Sequence, residues 1–319
     1  MRIVFFGSDD FAAAHFEALI ASPFKVLGCV APPDRPKGRG MKVVDSPVKE
    51  SAQKAGVPVW QPANLKDEAF VGALRALQAD LFVVIAYGKF LPSEIFNMPA
   101  YGAINVHASL LPKYRGAAPI NWVIIHGEEE TGISVIRINE EMDAGDILAQ
   151  LKIPIAPDET AITLRTKMIG LGPDLLLKTI ADLPAGTGKP QNENFSTFAP
   201  KLIKELGNVR WTKRAQEICN LTRGLLPWPS AYTFYQGKML KILEAQMIDR
   251  SFPYDEPGKV LEISKRGITV AAGRGTILIK RVHFQDSKPM DAYDFVIGHD
   301  ITVGFKFSYD KNDGQEKER

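Results

Sequence analysis

The chain has 319 residues, 45% hydrophobic and 24% charged, with a formal net charge of +2. That composition suits a folded chain of two domains and excludes a polycation or a low-complexity polymer. Its two cysteines, Cys29 and Cys219, form no CxxC or Cys/His cluster, so neither a disulfide framework nor a metal site is expected.

No apolar run approaches the ~18 residues of a membrane span. The opening run Ile3–Phe6 is too short for a signal-peptide core. A reducing, cytoplasmic setting and no membrane partner are therefore expected. Charge is unevenly spread. Residues 1–200 carry 19 Lys/Arg against 22 Asp/Glu, and residues 201–290 carry 16 against 8. A basic back half points to a polyanionic partner, the alternative being a solvated surface.

Ile3–Phe6 ends at Gly7 as a buried parallel strand would. Ser8 or Asp9 caps a helix over Phe11–Ile20, and Lys25–Val30 is the next strand. This is a βαβ opening without the glycines of a dinucleotide fingerprint, and two acids stand where a pyrophosphate would sit. Pro32 to Lys42 follows, with Arg35, Lys37, Arg39 and Lys42 among three prolines and two glycines. That mixture predicts a loop, and its cations suit phosphate contact.

Further elements are expected as a helix over Pro47–Ala55, a short strand at Val57–Trp60 and a helix over Lys66–Leu77. Asp80–Ala86 is a continuous apolar strand ending at Tyr87-Gly88, and a helix starts at Leu91-Pro92. In the strand opening Ile104-Asn105-Val106-His107, Asn105 and His107 share one face. Pro112 cannot continue a central strand, so Ser109-Leu110-Leu111-Pro112 leaves the sheet and Lys113-Tyr114-Arg115-Gly116 turns as a cationic loop. Polar groups at a strand end beside such a loop mark the ligand edge of an open α/β sheet. The alternative is a buried amide and histidine that satisfy loop backbone.

Ala117–His126 reads as a helix. Thr131–Ile138 and Ile147–Ile155 read as a hairpin whose acidic tip includes Asp143, within reach of His107. Thr160–Ala181 is a long helix, followed by a Pro/Gly linker. Arg210–Leu225 is a basic helix, and the strands beyond it recur at the spacing of a small barrel. The expected fold is α/β: a Rossmann-like, mostly parallel sheet with helices on both faces over 1–189, a linker at 190–207, and a basic OB-like β-barrel over 208–319.

Asn105, His107 and Asp143 could support acyl transfer without a covalent enzyme intermediate. An amide and an imidazole N–H can hold an oxyanion, and a carboxylate can orient the imidazole and take a proton. The residues alone leave a structural polar cluster open.

N-V-H, then S-L-L-P-K-Y-R-G-A-A-P, then the D-A-G-D turn at Asp143 resemble the 10-formyltetrahydrofolate-dependent formyltransferases. The opening Arg2–Phe11, the Pro33–Gly40 loop, Ala86–Gly88, Pro227-Trp228-Pro229 and the basic back half extend the resemblance over nearly the whole chain. It implies a catalytic triad of Asn105, His107 and Asp143, and folate binding by Ser109, Leu110, Leu111 and Pro112 with Ala86, Tyr87 and Gly88. It implies 10-formyltetrahydrofolate as formyl donor and no metal. The implied acceptor is the α-amino group of initiator methionyl-tRNA. Its acceptor arm would be held by Arg35, Lys37, Arg39 and Lys42 and by the basic barrel, in a monomeric enzyme. The competing expectations are a family member acting on a small amine (a nucleotide sugar or glycinamide ribotide), a hydrolase of the same folate, and a nucleic-acid-binding protein without turnover.

Overall fold

The computed structural model describes residues 1–34, 36–37, 42–183, 188–253 and 255–309, with backbone alone at 36, 37, 42, 43 and 250–253. By its contacts the chain divides into two units. The first comprises residues 1–119, 130–154 and 165–199, and the second comprises 120–129, 155–164 and 200–319.

The first unit opens with β1 (Arg2–Gly7), α1 (Asp10–Ile20) and β2 (Lys25–Val30). A two-residue pair follows, β3 (Pro36–Lys37) and β4 (Lys42–Val43), joined antiparallel. The segment expected to be wholly irregular thus carries one short ladder. Proline tolerates this because it stands in an edge position needing no further donor.

Next come α2 (Pro47–Lys54), β5 (Val59–Trp60), α3 (Glu68–Ala76), β6 (Leu81–Ile85), α4 (Ser93–Phe96) and β7 (Ala103–His107). Then come α5 (Pro119–Ile125), which past its first residue belongs to the second unit, β8 (Glu130–Arg137), β9 (Ile147–Pro154) and α6 (Ala161–Asp182), which enters the first unit at Arg165.

The sheet order is β5-β2-β1-β6-β7-β8-β9. The first five strands are parallel and the last two antiparallel. The chain winds outward from β1 in one direction and restarts at β6 in the other. That reversal opens a crevice at the carboxyl ends of the strands, the Rossmann-like arrangement.

Both faces of the central strands are covered. Phe5 on one face meets Phe16 of α1 edge-on at 5.3 Å. Phe6 and Phe82 on the other face pack into one cluster with Phe70 and Leu74 of α3 and Ile95 and Phe96 of α4. Neighbouring residues point to opposite faces, so Phe5 and Phe6 serve the two layers separately.

The turn after β1 binds itself. Asp9 caps α1 by accepting from the Ala12 N–H at 3.0 Å. Arg165 of α6 pairs with Asp9 at 2.5 Å and also with Asp10. A helix start already holding a carboxylate offers no seat to a pyrophosphate.

In the second unit α7 (Ala215–Gly224) precedes β10 (Ala231–Tyr235), β11 (Lys238–Pro253), β12 (Val260–Ser264), β13 (Gly267–Ala271), β14 (Arg274–Phe284), β15 (Met290–Asp291) and α8 (Ala292–Ile297). α7 starts five residues later than the basic pattern from Arg210 predicts. Val209 and Trp211 are drawn instead into the core of this unit. The Val209 N–H bonds Tyr232 O at 2.8 Å, and Trp211 Nε1 bonds Thr233 Oγ1 at 3.1 Å. Burying an indole beside a partner for its N–H outweighs one more helical turn.

The strands form an antiparallel ladder, β10-β11-β14-β13-β12, with β15 on β14. Among the described residues no ladder joins β10 to β12. The segment after α8 reaches both. Val260 N–H bonds Phe305 O at 2.7 Å, Phe307 N–H bonds Gly258 O at 3.0 Å, and Phe234 N–H bonds Ser308 O at 3.3 Å.

His15 of α1 is fully buried. Its Nδ1 lies 2.7 Å from the Phe11 carbonyl and so donates, while Nε2 is left without a partner. Burial pushes the imidazole down to about 4. The folded chain therefore holds fewer protons than the unfolded one between the ordinary value of ~6.5 and about 4. Stability should be unaffected by His15 above that window and fall through it on acidification, by roughly 3 kcal/mol in full. His15→Leu should flatten this acid slope, read from urea midpoints at each pH. An unchanged slope would show that His15 titrates normally.

Candidate active site

β7 sets the site. Ile104 and Val106 are buried, His107 is buried on the alternate face, and Asn105 is half-buried there. β8 lies antiparallel beside β7, with Asn105 opposite Ile136 and His107 opposite Ser134. That register starts the β8–β9 turn beside Ala103 and Ile104, at the amino end of β7, and the turn folds back along the strand far enough to bring Asp143 to Asn105 and His107.

The three side chains meet. Asn105 Nδ2 donates to Asp143 Oδ1 at 3.2 Å. Asp143 Oδ2 accepts the Gly116 N–H at 2.8 Å and lies 3.5 Å from His107 Nδ1. His107 Nε2 lies 2.8 Å from the Tyr114 carbonyl. A carbonyl can only accept, so Nε2 carries a proton and Nδ1 is the nitrogen that faces the carboxylate.

Two backbone positions here are left-handed without being glycine: Tyr114 at φ +63° and Asp143 at φ +53°. Such residues cost energy in isolation and persist where their surroundings hold them. The Tyr114 carbonyl is held by His107, and the Asp143 carboxylate by Asn105 and Gly116. Gly116 itself sits at φ +119°, and a Cβ there would meet Ala199 O at 2.8 Å. Of the other acids of the turn, Glu140 and Glu141 are exposed and Asp146 is half-buried.

The loop after β7 is tied to β8 and β9. Ser134 Oγ donates to Ser109 O at 2.7 Å and accepts the Leu111 N–H at 3.1 Å. Gln150 Nε2 donates to Leu111 O at 2.9 Å. Ser109 is fully buried, with its own hydroxyl donating to Lys113 O at 2.6 Å. Arg115, expected as part of a cationic turn, is only 4% exposed. It is ion-paired to Glu193 at 2.7 Å, so its charge faces the chain and not water.

Comparison with known proteins bears on what this geometry serves. The family model described as formyl transferase matches residues 1–180, and that for the formyl transferase C-terminal domain matches 201–300. The chain belongs to the formyl transferase family. A methionyl-tRNA formyltransferase from Caldanaerobacter subterraneus subsp. tengcongensis is 45% identical, covering 95% of this chain and 99% of that protein. Another from Alkaliphilus metalliredigens is 42% identical, covering 95% and 97%. Among solved structures, the sugar 3N-formyl transferase WlaRD, in the presence of dTDP and 5-N-formyl-THF, aligns with a TM-score of 0.67 at 16% identity, over 90% of this chain and 99% of that one. A Helicobacter canadensis N-formyltransferase in complex with folinic acid and dTDP-3-aminofucose aligns at 0.65 and 18%, over 87% and 98%. At those identities the structures speak for the fold.

In this formyl transferase the segments singled out from sequence lie as follows. Ala86 and Gly88 are exposed, at φ +47° and +78°, at the end of β6. β6 pairs with β7 so that Val84 lies opposite Asn105, which sets their backbone beside the triad. Tyr87 points the other way. Its ring is 2% exposed and packs edge-on against Phe6, its hydroxyl finds no partner, and burial pushes it up to about 12.

The tRNA candidates Arg35 and Arg39 lie outside the described residues, and Lys37 and Lys42 are described by backbone only, paired across β3–β4. The root of that segment is anchored. Asp34 pairs with Lys49 and accepts from Gln61 Nε2 at 2.8 Å. The Lys49 ammonium holds the Asp34 carboxyl below the usual carboxylate range.

Among the described residues no cluster of His, Cys, Asp and Glu is arranged to hold a metal, and no helix is long and apolar enough to cross a membrane.

Sequence reasoning passed over Gln150, Ser134, Gln191 and Thr197, which fasten the site's loops. Their partners lie 16 to 83 positions away, and no local periodicity encodes such a bond.

Gly145 lies so close to β8 that a Cβ would stand 1.8 Å from Arg137 O. Gly145→Ala should destabilise the chain by about 1–3 kcal/mol and displace Asp143, lowering activity beyond the loss of folded protein. Urea unfolding and turnover measured on one preparation would check this.

Proposed function

We propose that the chain transfers the formyl group of 10-formyltetrahydrofolate to the α-amino group of initiator methionyl-tRNA. The contact of Asn105, Asp143 and His107 at the carboxyl end of β7 carries this reading. Near-full-length identity of 42–45% to proteins named methionyl-tRNA formyltransferase supports the choice of acceptor.

The folate supplies an activated formyl group. The amine nitrogen bonds to the formyl carbon and the bond from that carbon to N10 breaks. The proton lost by the amine balances the one N10 gains. Asp143 is the group placed to accept the amine's proton and pass it on, since its carboxylate is held by Asn105 and Gly116. Negative charge grows on the formyl oxygen during attack. Asn105 donates one amide hydrogen to Asp143 and has a second to offer that oxygen, a contact worth roughly 2.7–4 kcal/mol by analogy with other oxyanion donors.

His107 reaches the same oxygen only if its Nε2–H leaves the Tyr114 carbonyl. In the arrangement seen, its Nδ1 stands 3.5 Å from Asp143 Oδ2, where a ring protonated on both nitrogens would pair with the carboxylate. The exposed backbone at Ala86 and Gly88 and the fastened turn at Ser109–Pro112 fit a flat ring bearing amide-like edges, because each presents main-chain groups at a fixed position.

The acceptor reading also draws on the second unit. A cleft of about 1370 Å³ lies within it, lined by Arg214 and Arg223 of the α7 region and by Arg274, Lys280 and Arg281 of β14. Glu128, Glu129 and Asp158 line it too, and Glu244 faces Lys280 at 3.5 Å. Arg214 and Arg274 form no ion pair among the described residues. Arg223 is engaged by Asn220 and the Glu159 carbonyl, Lys280 by Glu244 and Arg281 by Asp291, which leaves Arg214 and Arg274 as the cations of this wall with most to gain from a phosphate backbone. We read this ladder, with the 304–308 segment joining its two ends, as an OB-like barrel that presents these cations to the acceptor arm. A small amine, even one bearing one or two phosphates, would not call for a cationic wall of this extent.

Asn105→Ala and Asp143→Asn should each lower kcat at least ~100-fold while folate affinity stays within about two-fold. Formylation of charged initiator tRNA measured beside folate binding tests this. Transfer to neither charged initiator nor charged elongator tRNA would end the reading. Arg214→Ala with Arg274→Ala should raise KM for tRNA several-fold and lower its salt slope by about 1–2. Unaltered tRNA kinetics would remove these cations from the interface.

A further inference from the structure

We propose that Gln191 is a positioning residue for Asp143. The proposal rests on the reading above, in which Asp143 handles the amine's proton.

Gln191 lies beyond α6, in a polar stretch whose composition suggests only a connector. Its side chain joins the two loops that grip Asp143. Gln191 Nε2 donates to the Asp143 carbonyl at 2.7 Å and to the Gly145 carbonyl at 2.8 Å. Its Oε1 accepts from Arg115 Nε at 3.1 Å and from Arg115 Nη2 at 2.7 Å. Arg115 is buried and is clamped from the other side by Glu193, at 2.8 Å and 2.7 Å.

The chain neighbours of Arg115 make the site contacts. The Tyr114 carbonyl holds His107 Nε2, and the Gly116 N–H holds Asp143 Oδ2. One primary amide thus ties the backbone of Asp143 to the loop that binds its carboxylate.

A glutamine suits this place for a chemical reason. The position needs two donors for two carbonyls and an acceptor for a guanidinium, on one planar group. Glutamine has all three. Glutamate keeps the acceptor but sets negative charge against both carbonyls. Methionine keeps the length and makes none of the bonds.

The need for a tie is local. Asp143 is left-handed at φ +53°, a region that aspartate visits more than most non-glycine residues but at some cost in backbone energy, so contacts that fix it matter. The neighbouring backbone reinforces the tie. Arg115 N–H bonds Thr197 O at 2.8 Å, Ala199 N–H bonds Arg115 O at 2.7 Å, and Ile147 pairs with Lys189 in both directions at 2.8 Å and 2.9 Å. Residues 189–199 therefore run as a strap across both loops, and Gln191 is where the strap reaches Asp143 itself.

The test uses the full chain with Gln191→Met and Gln191→Glu, each alone and combined with Asp143→Asn. Both single variants should lower kcat about 10- to 100-fold, the scale of a misplaced reacting group, with KM for folate within about two-fold. Q191E retains the contact with Arg115 but leaves two carbonyls unpaired, so its melting temperature should fall somewhat; at an assay temperature where it is still fully folded, it should remain slow. In single-turnover assays on the Asp143→Asn background neither change should cost more, since a residue acting through Asp143 has nothing left to position.

Full activity in Q191M and Q191E beside an inactive Asp143→Asn enzyme would overturn the positioning role and leave the proposed function standing. Equal losses with and without the Asp143 carboxylate, or a loss tracking the melting temperature, would overturn it as well, assigning Gln191 to the fold. An active Asp143→Asn enzyme would bring down the proposal together with the reading beneath it.

Discussion

The site depends on holding one carboxylate in a left-handed backbone conformation, which aspartate tolerates better than most side chains but which its contacts have to fix. Asp143 is left-handed at the tip of the β8–β9 turn. Its side chain, 14% exposed, takes hydrogen bonds from Asn105 of β7 and from Gly116 of the following loop. A carboxylate so nearly withdrawn from water has lost most of its hydration and takes these donors in exchange. Strain and desolvation are both met by one set of contacts, so the positions of β7, the 109–118 loop and the 138–146 turn are determined together. The parallel sheet supplies the frame. β7 stands next to β6, past the point where strand order reverses, so its carboxyl end opens into the crevice and not into a covered edge.

How far the sequence disclosed this varies with the range of the interaction. Strands came through well where burial on both faces gives continuous apolar runs, as in Ile3–Phe6 and Leu81–Ile85. The alternation of Asn105 and His107 is a local property, and so is the glycine beside Asp143 that lets the turn close on Arg137. The partners that fasten the site were not legible. Gln191 and Thr197 lie in a stretch of Asn, Glu, Ser and Thr that reads as connector, and a side chain reaching back 48 residues leaves no mark on its neighbours. Arg115 looked like a surface cation for the same reason, as the acid that buries it, Glu193, is 78 positions away. Trp211 shows the converse. A basic helical pattern ran through it, but burial of its indole against Thr233 redirected the chain and delayed α7 to Ala215.

The turn after β1 shows how one framework can be closed to one ligand class and left open to another. Carboxylates at Asp9 and Asp10, neutralised by Arg165, occupy the helix start where other open α/β sheets seat a phosphate. The Asp10 carboxyl is lowered, by its hydrogen bond to Arg165 above all. The anion-seeking end of α1 is thereby satisfied internally. The chemistry moves to the other side of the reversal point, at β6 and β7, where the exposed groups are main-chain amides and a neutral asparagine.

The segment that follows α8 has a meaning beyond the shape of its own unit. β10 and β12 end the antiparallel ladder, and an unpaired strand edge is a template on which a second chain can add. Residues 304–307 run along β12 and Ser308 meets Phe234 of β10, while Phe307 is 1% exposed and anchors the segment in the core. The last described residues thus act as a guard against self-association. A chain shortened just before Phe305 would bare much of the edge of β12, the part of β10 beyond its contact with Val209, and an opened core at once, and its failure would be seen first as aggregation.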